Sequence, residues 1–171
     1  EATARREVGG WEVVQYSEDG KYTHCTMATQ FVAANKQQRL EMRGEVMALI
    51  LKINRDNNLI IHVVSPDWKL KVGSNYKLRM EFPDGTWHEI SSNAEDETGM
   101  MYLINMDKLG VQLFGLFSSA KSVRLLLNGQ SLGGFNLKKS KDAMNSLVEC
   151  HDKNMENVGA QVDPSFGGGT Q

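Results

Sequence analysis

Residues 46–82, VMALILKINRDNNLIIHVVSPDWKLKVGSNYKLRMEF, constrain the fold more than any other stretch of the chain. Two short apolar runs, 46–53 and 59–64, are rich in β-branched side chains, which pack well on a pleated surface. Between them Asn54, Arg55, Asp56, Asn57 and Asn58 supply local hydrogen bonds and tolerate left-handed backbone. Apolar runs this short, bounded by turn residues, predict a hairpin of buried strands. Farther on, Tyr76, Leu78, Met80 and Phe82 alternate with Lys77, Arg79 and Glu81, a strand with one dry face and one wet face. Such a stretch commits the chain to a β-rich core.

The same patterning extends in both directions. Residues 11–16 and 22–31 form a hairpin across Ser17-Glu18-Asp19-Gly20, with Cys25, Met27, Thr29 and Phe31 sharing one face and Tyr22, His24, Thr26 and Ala28 the other. Residues 32–44 are polar and fit either a loop or a short helix. After Ser65-Pro66-Asp67, residues 68–73 read as a short edge element whose lysines point outward and blunt edge pairing. Pro83-Asp84-Gly85 turns the strand at 76–82 into another at 86–90, because Pro presets φ and Gly accepts a positive one. A polar acidic loop at 91–99 precedes a strand at 100–106.

From Asp107 the period changes. Leu109, Leu113, Leu116, Phe117 and Ala120 recur at helical spacing, which predicts a helix over 108–121 with Asp107 as its N-cap. Asn128-Gly129 then joins strands at 122–127 and 131–137. Ser140 opens a second helix, with Ala143, Met144, Leu147 and Val148 on one stripe, ending near Cys150 or His151. The fold class is mainly β: an antiparallel β-sandwich or barrel with two helices in the C-terminal half. Residues 1–10 read as a flexible N-terminal arm, 11–151 as a single β-rich globular domain, and 152–171 as a flexible Gly-rich tail.

Composition mainly excludes. A formal net charge of −2 over 171 residues supplies no basic field, so a nucleic-acid partner is not expected. No apolar run approaches the ~20 residues that span a bilayer, so no membrane span is expected. Lys138, Lys139 and Lys141, like Glu95, Asp96 and Glu97, read as solvated faces. Serine does not occur in a GxSxG elbow, and GQSLGG at 129–134 lies in a hairpin without phosphate-loop spacing. His24 and Cys25 are neighbours on a strand and face opposite sides, so they cannot share a metal, and His62, His88 and His151 stand apart from them. The expectation is therefore a chain that is not an enzyme, with no catalytic residues, no cofactor and no metal.

Two features remain. Cys25 and Cys150 show no CxxC or metal spacing. Either they are bridged, stapling the first hairpin to the final helix, or they are free thiols packed as small hydrophobes. A disulfide is the expectation carried forward. Trp68 and Trp87 sit beside turn residues, where an aromatic can anchor a partner, although core packing competes for both. Phe166, within the tail PSFGGGTQ, could order on a partner. Trp68, Trp87 and Phe166 are the candidate partner-binding residues.

Trp11, Cys25 on the following strand, and the closing GFNLKKSKDAMNSLVEC at 134–150 together resemble small secreted or periplasmic proteobacterial proteins like the invasion-associated locus B family. Leu137, Ser140, Ala143 and Cys150 match that family's Leu-x-x-Ser-x-x-Ala helix ending in Cys. The resemblance implies a β-rich fold and export, to the periplasm or beyond, and transfers no catalytic residue. The first residue is Glu1, as expected of a processed or trimmed chain. The expected function is a non-enzymatic exported accessory or protein-binding domain, or a subunit of a larger assembly. The alternative is a periplasmic carrier of a small apolar or sugar ligand held inside the sandwich or barrel.

Overall fold

Period-two alternation becomes strand almost wherever it was read. The computed structural model describes residues 1–30 and 48–159. In chain order the strands are β1 (Ala2–Val8), β2 (Trp11–Glu18), β3 (Lys21–Gln30), β4 (Ala48–Asn54), β5 (Asn58–Val64), β6 (Asn75–Glu81), β7 (Trp87–Asn93), β8 (Gly99–Asn105), β9 (Ser122–Leu127) and β10 (Gln130–Asn136). The helices are α1 (Lys108–Ser119) and α2 (Ser140–Gly159). Six strands form one sheet in the order β1-β2-β3-β4-β5-β8, and four form a second in the order β10-β9-β6-β7. Every pairing is antiparallel. Neither sheet closes on itself, so the fold is a sandwich and not a barrel.

Parity decides what each strand buries. Leu49, Leu51 and Ile53 of β4, Leu59, Ile61 and Val63 of β5, and Met100, Tyr102 and Ile104 of β8 all lie in the core, as do Leu78, Met80, Val123 and Leu125 of the second sheet. The two helices add Leu113 and Phe117, then Ala143, Met144 and Leu147. Phe82 and Phe117 meet edge to face at 5.6 Å, the favoured arrangement for two quadrupolar rings. Asp107 caps α1 as expected: its Oδ1 accepts from Leu109 N at 3.0 Å and Gly110 N at 3.3 Å.

A disulfide and several side-chain hydrogen bonds seat α2 on the larger sheet. Cys25 and Cys150 are joined in a disulfide with their Cα atoms 6.2 Å apart. The next residue, His151, is buried between Tyr22 Oη, 2.8 Å from Nδ1, and Asn57 Oδ1, 2.6 Å from Nε2. In the neutral ring carrying its proton on Nε2, His151 donates to Asn57 and accepts from Tyr22, so both ring nitrogens and the Tyr22 hydroxyl are satisfied.

Residues 1–10, read from the sequence as a flexible arm, carry a paired strand. Residues 2–8 form β1, paired along β2 with Arg5 opposite Val14, and Arg5 Nη1 lies 2.7 Å from Glu12 Oε1. The strand has no buried residue, so its order comes from backbone pairing and leaves no apolar alternation to read. Residues 68–73 form no strand. Leu70 N donates to Glu97 O and Gly73 N to Ala94 O, which ties this stretch as a loop to the β7–β8 connection. The final helix runs on past His151 to Gly159, through residues expected to begin the tail. Residues 32–44 and the tail beyond, Phe166 included, fall outside the described residues.

Candidate functional site

The most exposed aromatic side chain among the described residues is placed by a short turn. In Pro83-Asp84-Gly85, Gly85 adopts φ 87° and donates its N–H to Phe82 O at 3.0 Å, while Thr86 N donates to Asp84 Oδ1 at 2.8 Å. Those contacts hold the Asp84 carboxyl below its ordinary range. The turn sets Trp87 opposite Glu81 as the first residue of β7. Ile90 and His88 face inward, so Trp87 and Glu89 must face outward.

Trp87 is 53% exposed, and the Arg79 guanidinium lies 4.2 Å from its ring centroid. This cation–π contact holds the indole against the sheet. Around it runs a ladder of paired charges: Arg79 Nε to Glu81 Oε1 at 2.9 Å, Arg124 Nη1 to Glu81 Oε2 at 3.7 Å, and Lys77 Nζ to Glu89 Oε1 at 3.9 Å. The first pair is charge contact only, since the Arg79 Nε–H is not directed at an acceptor. Among the described residues β7 also ends its sheet, hydrogen-bonded on one side to β6. An aromatic on the last described strand of its sheet, ringed by compensated charge, has the makings of a protein-docking surface: an anchor, a polar rim and an edge strand.

The other candidate residues lie elsewhere. Trp68 is half-buried and packs against the core. Its loop is tied to the Asn93 end of β7, whereas Trp87 begins that strand, so the two indoles are separated by roughly 20 Å of strand. They do not form one site. Lys138, Lys139 and Lys141 are joined by Lys121 around an open cleft of about 710 Å³ between the end of α1 and the start of α2. All four are exposed and Lys139 pairs with Asp142 at 3.6 Å, so this remains a solvated basic face.

The histidines do not build a metal centre. No group of three or more His, Cys, Asp or Glu suited to a metal ion occurs among the described residues. His24 and His62 lie on the outer face of the larger sheet, while His151 is buried at α2. Burial lowers all three below the ordinary range, with the nearby Lys52 charge adding to the effect on His24 and His62. His24 falls to about 4. Each ring thus takes up a proton more readily in the unfolded chain, so stability is full above pH ~6.5 and is lost as the pH falls toward 4. His24 is partly open to solvent, which reduces its share to about 1 kcal/mol. Urea midpoints should drop between pH 7 and pH 4.5, and His24→Gln should flatten part of the slope. A midpoint constant over that range would contradict the assignment.

The architecture has a counterpart of known structure. A crystal structure of invasion associated protein B from Bartonella henselae is similar, with a TM-score of 0.59, 17% sequence identity, and coverage of 88% of this chain and 99% of that one. At that identity the likeness establishes the fold. It agrees with the resemblance drawn from Trp11, Cys25 and the stretch at 134–150. No family model matches the chain, and no curated protein matches it.

Proposed function

We propose that this chain is a non-enzymatic, exported accessory domain that binds a protein partner along the β7 edge, with Trp87 as the anchor. The observation that carries the reading is the indole itself: half exposed, braced on Arg79, and set on the last strand of a sheet. Export is supported by the Cys25–Cys150 disulfide, since such bonds persist in oxidising compartments. No helix among the described residues is long and apolar enough to cross a membrane. The space between the sheets is filled by side chains such as Leu51, Ile61, Met80 and Leu125, each fully buried, so binding at the surface fits this sandwich better than carriage inside it.

An exposed aromatic anchor predicts a separation of binding from stability. Trp87→Ala should weaken association roughly 30-fold, the ~2 kcal/mol of an aromatic hot spot. The melting temperature should barely move, because the main contact removed is a surface cation–π pair worth about 0.5–1 kcal/mol. Tagged wild-type and Trp87→Ala proteins, returned to the native source and recovered by size exclusion, make the comparison. Equal recovery in an assembly by a folded Trp87→Ala variant would rule out this surface.

A further inference from the structure

A second site lies on the opposite sheet. Because Cys25, Leu51 and Ile61 point into the core, their neighbours His24, Lys52 and His62 point outward on three adjacent strands. Lys52 stands at the centre, opposite Thr26 on β3, with His24 and His62 on the diagonals to either side. Together with Val14, Ala28 and Ile50 they line an open hollow of about 180 Å³. Sites for drug-sized ligands start near ~300 Å³, so the occupant is small.

The walls are held in place. Tyr16 stacks on His24 with ring centroids 4.6 Å apart and planes 14° apart, and Thr23 Oγ1 meets His24 Nδ1 at 3.0 Å. Gly99 makes room for the second imidazole, since a Cβ there would come within 2.8 Å of His62 Nε2. One carboxylate, Glu12, lines the hollow itself, and both it and the neighbouring Asp96 are engaged by other partners. Glu12 is held by Arg5 at 2.7 Å, and Asp96 Oδ1 accepts from Thr98 N and Gly99 N at 2.7 Å each. Among the described residues no acid pairs with Lys52. A half-buried ammonium without a counter-ion is costly, and a bound anion would remove that cost.

We propose that this hollow binds a small organic carboxylate, its charged end on Lys52 between the two imidazoles and its short apolar body on Val14, Ala28 and Ile50. Lys52 shares this lining with Glu12, itself paired with Arg5, so a singly charged carboxylate suits the hollow better than a multiply charged phosphate. Burial keeps both rings neutral near pH 7, so neither adds charge to the hollow, and the single N–H of His24 is spent on Thr23 Oγ1, whose own proton goes to Tyr16 O. This site is independent of the Trp87 edge.

The test is an amide-resolved NMR titration of the full chain with sodium benzoate at constant ionic strength, with inorganic phosphate in parallel. Benzoate should produce saturable shifts confined to β2–β5 around Lys52. Lys52→Met, which keeps the side-chain stem and removes the charge, should weaken binding about tenfold or more, the loss of one charge-assisted hydrogen bond. Ala28→Leu fills the hollow without touching the charge and should also abolish saturation, which decides the matter if Lys52→Met does not fold. Absence of saturable shifts, unchanged affinity in either folded variant, or phosphate binding as tightly as benzoate would overturn the proposal.

Discussion

Replacing both cysteines, Cys25→Ala with Cys150→Ala, should lower stability by about 4–5 kcal/mol, the chain-entropy effect of opening a loop of this length. The cross-link spans a sequence separation of 125 residues, so it restricts most of the unfolded chain. At ~2–4 °C per kcal/mol for a domain of this size, the melting temperature should fall by roughly 10–15 °C. The fold should survive. Tyr22 and Asn57 still grip His151, Asn154 Nδ2 still donates to Gln15 Oε1 at 3.1 Å, and Ala143, Met144 and Leu147 remain buried under α2. The loss should therefore show first as opening of α2 from β3, seen as faster amide exchange along the helix while β4 and β5 stay protected. A melting temperature unchanged by the double substitution would mean that packing and these hydrogen bonds seat α2 without help from the cross-link.

Trp11→Ala is the second large effect, about 3–5 kcal/mol for emptying the site of a buried indole. Trp11 is only 2% exposed, and its Nε1–H donates to Lys138 O at 3.1 Å, joining β2 to the connection between β10 and α2. That connection is held from the other side as well. Gly9, at φ 59°, sits so close to Lys139 that a Cβ would collide with the lysine side chain, and Lys139 itself adopts φ 65°. Trp11→Phe keeps most of the volume and loses the donor, so it should cost about 1–2 kcal/mol. Urea unfolding of the two variants separates the packing and hydrogen-bond contributions. Equal losses in both would mean that the Lys138 contact carries the whole effect.

Local pattern accounts for what the sequence revealed. The strands at 11–16, 76–82 and 122–127 were legible because each buries one face, and the Asp107 cap because its side chain serves neighbouring amides. β1 was not legible, since a strand exposed on both faces carries no period. Nor was the seam between the sheets. β5 pairs with β8 across the intervening β6–β7 hairpin, and nothing local to β5 says that its next partner lies beyond it. The His151 cluster joins residues 129 and 94 positions apart, a juxtaposition only the assembled fold provides.

The candidate sites show the same division. Trp68 and Trp87 look alike as indoles beside turns, yet Ile90 inside β7 already required Trp87 to face outward. Trp68 lies in a loop with no alternation to fix its side, and the core took it. For Lys52, His24 and His62, outward parity was legible strand by strand. Their convergence needed the order β3-β4-β5 and the register Thr26↔Lys52.

The most direct measurement is native mass spectrometry of the protein purified from its own source without reductant. The account predicts a chain lighter by the two hydrogens that the Cys25–Cys150 bond removes, travelling within a larger assembly that the Trp87→Ala variant does not join. A lone monomer carrying free thiols would contradict both the oxidising compartment and the partner-binding role.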